Sequence, residues 1–360
     1  MKKLSADAFL SYERKIDQQS SRFATGFEAP AFTPGIDMPL PETVFIVNPH
    51  ADGGSLSARW PRIHRSARRI LGNLQVAVTR RPGDAAVLAA AAAARGARRL
   101  VVVGGDGTLN EVINALMTLD RPLREEVFLG LVPNGTGCDF ARSASIPRDT
   151  DHALILIRDM PARPLDVGCI LFQDAAGNRS RRFFLNVASF GLGGEVARRV
   201  RKSPRALGPT FAFFWATLIA VLRYGKKRIH LKMDGDPVRT WRSWNVAVAN
   251  GRYHGGGMLV APDARPDDGI FHVTVIGDLP LSRVFLNLRH LYNGRIQEVK
   301  DVSVFTCTRM DAASDFPVLL DVDGEGPGIL PSTFSLIPNA LHVILPAAPY
   351  AASMKRKVFQ

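Results

Sequence analysis

Two different rhythms of apolar and polar positions divide the chain. In its first half, the runs 43–47, 74–78, 100–103 and 127–132 are short, rich in valine and leucine, and continuous rather than alternating. That is the pattern of strands buried on both faces. Between them lie helical patterns. Trp60, Ile63, Ala67 and Ile70 share one spacing, 85–94 is nearly all alanine, and Leu109, Val112, Ile113 and Leu116 fall on one helical face. Strand and helix alternate, which predicts an α/β domain with a parallel sheet over 43–165. From about residue 165 the strands 182–188, 243–249, 270–276, 318–322 and 341–345 dominate, joined by glycine-rich connectors. They predict a β-rich, antiparallel, sandwich-like second domain over 166–330. Residues 1–42 mix charges, serines and prolines without periodicity and read as an N-terminal extension.

Ligands of parallel α/β sheets sit at the carboxyl ends of the strands. Three polar, glycine-bearing loops meet that edge, at 48–54, 104–108 and 133–139. Gly104-Gly105-Asp106-Gly107-Thr108 joins a strand to a helix. Its glycines let the backbone approach a ligand closely, and free amides at a helix start favour phosphate. Thr108 with Glu111 forms a capping-box pattern. Asp106 does not suit a phosphate contact; a carboxylate there points to Mg²⁺ or a hydroxyl proton. Pro133-Asn134-Gly135-Thr136-Gly137-Cys138-Asp139 repeats the glycine-threonine-aspartate chemistry.

Three loops of the second half carry further candidate chemistry. Residues 250–258 hold four glycines around His254. Residues 262–269 pack three aspartates, which suits either a hard cation or an ordinary Asp-Gly turn before the next strand. Asp321-Val322-Asp323-Gly324-Glu325 places three carboxylates in five residues; at strand spacing they share a face. That reads as an acid/base or metal site, or as an exposed acidic hairpin.

Composition narrows the classes. A chain of 360 residues with 46% apolar content is long enough for two domains, and a net charge of +13 suits an anionic partner. Cys138, Cys169 and Cys307 show no CxxC spacing, so a reducing compartment is expected, with neither a disulfide framework nor a zinc site. The N-terminus lacks a signal-like apolar core, and the longest apolar run, 211–222, is too short to span a bilayer. Residues 196–233 contain no acidic side chain; basic clusters bracket the apolar run. That suits docking on an anionic bilayer, or a buried helix with solvated basic ends. No aromatic–basic module for nucleic acid appears. The expected location is the cytoplasm, with peripheral association at the inner face of the membrane.

Assembled, these residues resemble the diacylglycerol kinase catalytic-domain family of lipid kinases, which includes bacterial lipid kinases and is similar to sphingosine and ceramide kinases. The resemblance covers about 43–345. It rests on Val47-Asn48-Pro49, Gly104 to Glu111, Pro133-x-Gly135-Thr136-Gly137-x-Asp139-Phe140-Ala141, the 250–257 loop and Asp323-Gly324-Glu325. It implies an NAD kinase/diacylglycerol kinase-like α/β fold, ATP and Mg²⁺ as cofactors, and a lipid acceptor. Asn48, Pro49, Thr79, Gly104, Gly105, Asp106, Gly107, Thr108, Asn110, Gly135, Thr136 and Asp139 would line the ATP site. Asp106 would also act in catalysis, with Asp323 and Glu325 serving the acceptor hydroxyl; Glu325 is favoured as the base. A structural cation would sit at Arg265, Asp268 and Ile270. The segment 331–360 would return to the first domain, and a homodimer is compatible with the sequence. Cys138 departs from the asparagine usual in the family. The competing readings are an NAD kinase-like enzyme with a soluble acceptor, and a non-catalytic nucleotide- or lipid-binding protein.

Overall fold

The computed structural model describes residues 43–202 and 209–347; the 1–42 extension, Arg205 of the basic stretch and the end of the 331–360 segment lie outside the described residues. Strands β1 (Thr43–Val47), β2 (Gln75–Val78), β3 (Arg99–Gly104) and β4 (Phe128–Pro133) pair in parallel in the order β2-β1-β3-β4. Helices α1 (Ser55–Leu71), α2 (Asp84–Ala94), α3 (Asp106–Leu116), α4 (Arg121–Glu125), α5 (Asp139–Ser143) and α6 (Thr150–Asp159) connect and cover them. The strands are buried on both faces because successive side chains point opposite ways. Val44, Ile46, Leu100 and Val102 pack with α2 and α3 through Ala85, Ala89, Leu109 and Ile113. Phe45, Val47, Val101 and Val103 pack with α1 and α6 through Leu56, Ile63, Leu154 and Ile157.

The second half contains β5 (Ala162–Gln173), β6 (Arg179–Phe184), β7 (Val187–Gly191), α7 (Leu192–Lys202), α8 (Pro209–Arg223), β8 (Lys227–Met233), β9 (Arg239–Ser243) and β10 (Asn245–Ala249). It continues through β11 (Tyr253–His254), β12 (Met258–Leu259), β13 (Phe271–Ile276), α9 (Leu281–Asn287), α10 (His290–Asn293), β14 (Val302–Cys307), β15 (Arg309–Ser314), β16 (Leu320–Val322) and β17 (Ile329–Ile344). An antiparallel sheet, β14-β13-β10-β7-β16, faces an extension of the first sheet, and the two close on a shared apolar layer. Its centre is aromatic: Phe184 stacks on Phe271 and Phe190 on Phe334, both with ring centroids 5.7 Å apart.

One strand joins the two halves. β17 pairs parallel with β4 at His342 and Val343, antiparallel with β15 at 332–335, and antiparallel with β5 along most of its length. A ten-stranded sheet therefore runs through both halves.

Two predicted strands are each divided. The 182–188 run splits into β6 and β7, because the amides of 185–187 leave the ladder to serve a side chain described below. The 243–249 run splits at Trp244, where the chain passes from the large sheet (β9) to the smaller one (β10). The Trp244 indole N–H donates to the Leu279 carbonyl at 2.8 Å, so the crossing is anchored.

Gly168, in β5, faces the buried Phe184 ring; a first side-chain carbon at 168 would lie 2.2 Å from that ring. Gly168→Ala is expected to overpack the sandwich and lower unfolding stability by about 1–3 kcal/mol, measured by urea denaturation.

Candidate active site

The glycine loop after β3 enters α3 earlier than its capping-box pattern predicts. Gly105, in extended backbone, is the N-cap, and the helix begins at Asp106. Thr108 is already inside the first turn, so no capping box forms. Its hydroxyl instead accepts from Asn48 Nδ2 at 2.9 Å, tying the loop after β1 to the loop after β3. Glu111 accepts from the amides of Gly83 and Ala85 at 3.0 and 3.2 Å, and so caps the start of α2. The loops after β3 and β4 touch: a side chain at Gly135 would put its first carbon 2.7 Å from Gly105 Cα. Glycine at 135 is required by this close approach.

Asp106 and Asp139 form the centre of the first-half site. The Asp106 carboxylate accepts from Asp139 N at 3.0 Å and Phe140 N at 3.1 Å, the first-turn amides of α5 that have no partner within the helix. Burial, then the neighbouring Asp139 charge, pushes the Asp106 carboxyl above its ordinary range. Asp139 is itself buried. Its Oδ2 accepts from Gly256 N at 2.7 Å, while its Oδ1 has no hydrogen-bond partner among the described residues. A buried carboxylate oxygen left without a donor fits a cation. Cys138, just before α5, has φ of +50°, a backbone conformation that asparagine tolerates better than most residues. Its Sγ donates to the Gly135 carbonyl at 3.3 Å, and burial raises the thiol to about 11, so it stays neutral.

The acidic stretch 321–325 is not one strand face. β16 ends at Val322, Asp323 has φ of +49°, and Val322 and Glu325 exchange backbone hydrogen bonds across a two-residue turn. The turn sends the three carboxylates to three different partners. Asp323 accepts from Leu185 N (3.1 Å), Asn186 N (3.2 Å), Val187 N (3.0 Å) and Asn110 Nδ2 of α3 (3.0 Å). Burial outweighs these donors and holds Asp323 at about 6. Glu325 projects over the first turn of α3, with Oε1 3.8 Å from the place a side chain on Gly107 would occupy. Asp321 pairs with His254 Nε2 at 3.1 Å. Burial alone would lower the His254 imidazole, but Asp321, helped by Asp139 and Asp323, lifts it to about 9.

Asn48 and Pro49 follow β1, and Thr79 follows β2, its amide donating to the Val47 carbonyl at 2.9 Å. Gly104 ends β3 and Thr136 lies exposed in the loop after β4. Arg265, Asp268 and Ile270 lie in the loop before β13. There Arg265 pairs with Asp267, and Asp268 accepts from Ile270 N and pairs with His272, both at 3.2 Å. This loop is pinned to β5: Asp166 Oδ2 accepts from Gly269 N at 2.7 Å, and Pro266 O accepts from Asp166 N at 2.8 Å.

Several site residues escaped the sequence reading. Asn114 brackets the Phe183 peptide, donating to its carbonyl and accepting from its amide at 2.9 Å each. Arg182 donates twice to Asn110 Oδ1, at 3.0 and 2.7 Å. Ser143 accepts from the amides of Arg252 and Tyr253, and Asn186 donates to the Tyr253 carbonyl, fastening the glycine-rich hairpin to α5. The only signal for His254 was its position amid glycines, and the acidic stretch gave no hint that Asp321 would be its partner.

Residues 42–170 match the "Diacylglycerol kinase catalytic domain" family model, and residues 186–345 match the "YegS C-terminal NAD kinase beta sandwich-like domain". The "Probable lipid kinase YegS-like" protein of Pseudomonas aeruginosa is 33% identical over 290 residues, covering 78% of this chain and 88% of that protein. This chain belongs to the diacylglycerol kinase family of lipid kinases. A family relative of the same description from Xanthomonas oryzae is 33% identical over 278 residues, covering 76% of this chain and 87% of that protein. Two solved chains from Bacillus anthracis share the fold. One has a TM-score of 0.69 and 23% identity, covering 88% of this chain and 99% of that one. The other, a diacylglycerol kinase, has a TM-score of 0.63 and 20% identity, covering 87% and 99%. The first family match carries the loops at 48, 104–108 and 133–139; the second carries the hairpin and the acidic turn.

The His254–Asp321 pair gives this site a pH signature. The histidine is lifted in the folded state from its ordinary 6.5, so its contribution to stability is complete below about 6.5 and disappears as pH rises through about 9. The unfolding free energy of the natural protein should exceed that of His254→Gln by at most about 3 kcal/mol at pH 6, with the gap closing by pH 10. A gap that does not change with pH would refute the charged pair.

Proposed function

We propose that this protein transfers the γ-phosphate of ATP to the hydroxyl of a lipid, diacylglycerol or a close relative, with Mg²⁺. The observation that carries the reading is the convergence of carboxylates from both halves on the amide-rich start of α3. Asp106 and Asp139 come from the first half; Asp323, bonded to Asn110, and Glu325, over Gly107, come from the second. Phosphoryl transfer asks a protein chiefly for positioning and charge neutralisation.

The chain's residues divide this work. Amides of 104–108 and 135–137 supply donors for phosphate oxygens. Asp139, through its unpartnered Oδ1, and Asp106 would hold the metal. Mg²⁺, when bound, offsets phosphate charge. Asp323 spends its oxygens on four donors, so it fixes the turn, and Glu325 takes the hydroxyl proton. Asn48, Pro49, Thr79 and Thr136 border the nucleotide. Arg265, Asp268 and Ile270 keep the structural-cation role that the family resemblance implies. The protein works at the inner face of the membrane as a peripheral enzyme. Among the described residues no helix is long and apolar enough to cross a membrane.

The test is transfer of labelled γ-phosphate from ATP, with Mg²⁺, to diacylglycerol, monoacylglycerol, sphingoid bases, ceramide and phosphatidylglycerol in mixed micelles. Label should enter one lipid. Asp139→Asn, which keeps the acceptor for Gly256, and Glu325→Gln should each slow transfer by about 10²–10⁴-fold with unchanged unfolding midpoints. With NAD offered as a parallel acceptor, label entering NAD and no lipid would overturn the acceptor class.

A further inference from the structure

α9 and α10 present apolar side chains to solvent beside the candidate site. Their inward residues Leu281, Val284 and Leu291 pack with Trp244 and Leu279. Outward, Phe285 is 44% exposed, Leu286 73% and Tyr292 55%. A leucine so exposed beside an exposed phenylalanine is unusual for a surface that meets only water. The charged side chains of the stretch itself are all basic: residues 279–297 contain no aspartate or glutamate, Arg283 and Arg289 flank the apolar positions, and the nearest acids in sequence are Asp278 and Glu298, which pair with Lys226 and Arg295.

This surface is continuous with the site. Leu291 packs against the same buried cluster as Met258 of β12, and a side chain at Gly294 would meet Leu259 at 2.9 Å. α10 therefore rests on the glycine-rich hairpin whose Gly256 amide holds Asp139. The end of α8 joins the same support. Lys226, just beyond it, donates to the Leu279 carbonyl at 3.3 Å and pairs with Asp278.

We propose that residues 281–292 dock on an anionic bilayer, with Phe285, Leu286 and Tyr292 entering the headgroup–acyl boundary and Arg283 and Arg289 meeting lipid phosphates. Exposed apolar side chains flanked by arginine match such a surface in both polarity and charge. The proposal rests on the lipid-kinase reading for its purpose: it brings the hairpin and Asp139 to the depth at which a lipid hydroxyl is found. It differs from the reading of 196–233 as a docking segment, because the exposed apolar residues here lie on separate, short helices.

Vesicle co-sedimentation without nucleotide tests it independently of any kinase activity. The full chain should bind phosphatidylglycerol-containing vesicles, less at high salt, and bind phosphatidylcholine vesicles weakly. Phe285→Glu with Leu286→Glu should weaken binding about tenfold or more, with the unfolding midpoint unchanged. Arg283→Gln with Arg289→Gln should lower binding to the anionic vesicles only. Phosphorylation of a short-chain, water-soluble diacylglycerol should be the same in the glutamate variant as in the natural protein. Unweakened vesicle binding in the glutamate variant would overturn the proposal. So would a natural protein that binds no anionic vesicles, or a dimer that the glutamate substitutions dissociate, since a second copy would then cover this face. Absence of phosphate transfer with intact, variant-sensitive vesicle binding would fault the kinase reading alone.

Discussion

Four hydrogen bonds onto one carboxylate hold the two halves of this molecule in register. Three successive amides, 185 to 187, turn away from their sheet to meet Asp323, and Asn110 reaches it from α3. Burying a carboxylate is costly unless donors surround it. The donors come from both halves, so satisfying the charge also fixes where β16 ends and how its turn faces the α3 start. The break between β6 and β7 is part of the same arrangement. Asn114 and Arg182 extend it, bonding α3 to the β6 backbone and side chains.

Around that junction, negative charge is concentrated to a degree that structure alone does not favour. Asp106, Asp139, Asp321 and Asp323 act on one another or on a shared neighbour, and His254 is the cation among them. Amides at the start of α5 and in the glycine-rich hairpin offset part of the cost. Among the described residues, one oxygen of Asp139 remains without a donor. Clusters of this kind are typical of sites that bind metal and polyphosphate, whose charges complete the balance.

The fold class was legible because strands buried on both faces and helices with one apolar face leave unmistakable periodicities. The alternation Val44/Ile46 against Phe45/Val47 shows this directly, each pair feeding a different core. The glycine loops were legible because close backbone approach leaves little alternative to glycine, as at Gly135. Tertiary hydrogen bonding was not legible. Thr108 and Glu111 fit a capping box, yet each serves a partner from another element. Asp321, Asp323 and Glu325 fit a strand face, but the positive φ at Asp323 redirects them. The His254–Asp321 pair joins residues far apart in sequence, and no local pattern encodes it.

The most direct measurement is an anomalous-diffraction map of crystals grown with Mn²⁺ and a non-hydrolysable ATP analogue. It asks whether carboxylates from the first half hold a metal and a triphosphate under the acidic turn. The account predicts a manganese peak beside Asp139 Oδ1, with the terminal phosphate between the α3 start and Glu325. Manganese and nucleotide bound elsewhere, with Asp139 Oδ1 still unpartnered, would contradict it.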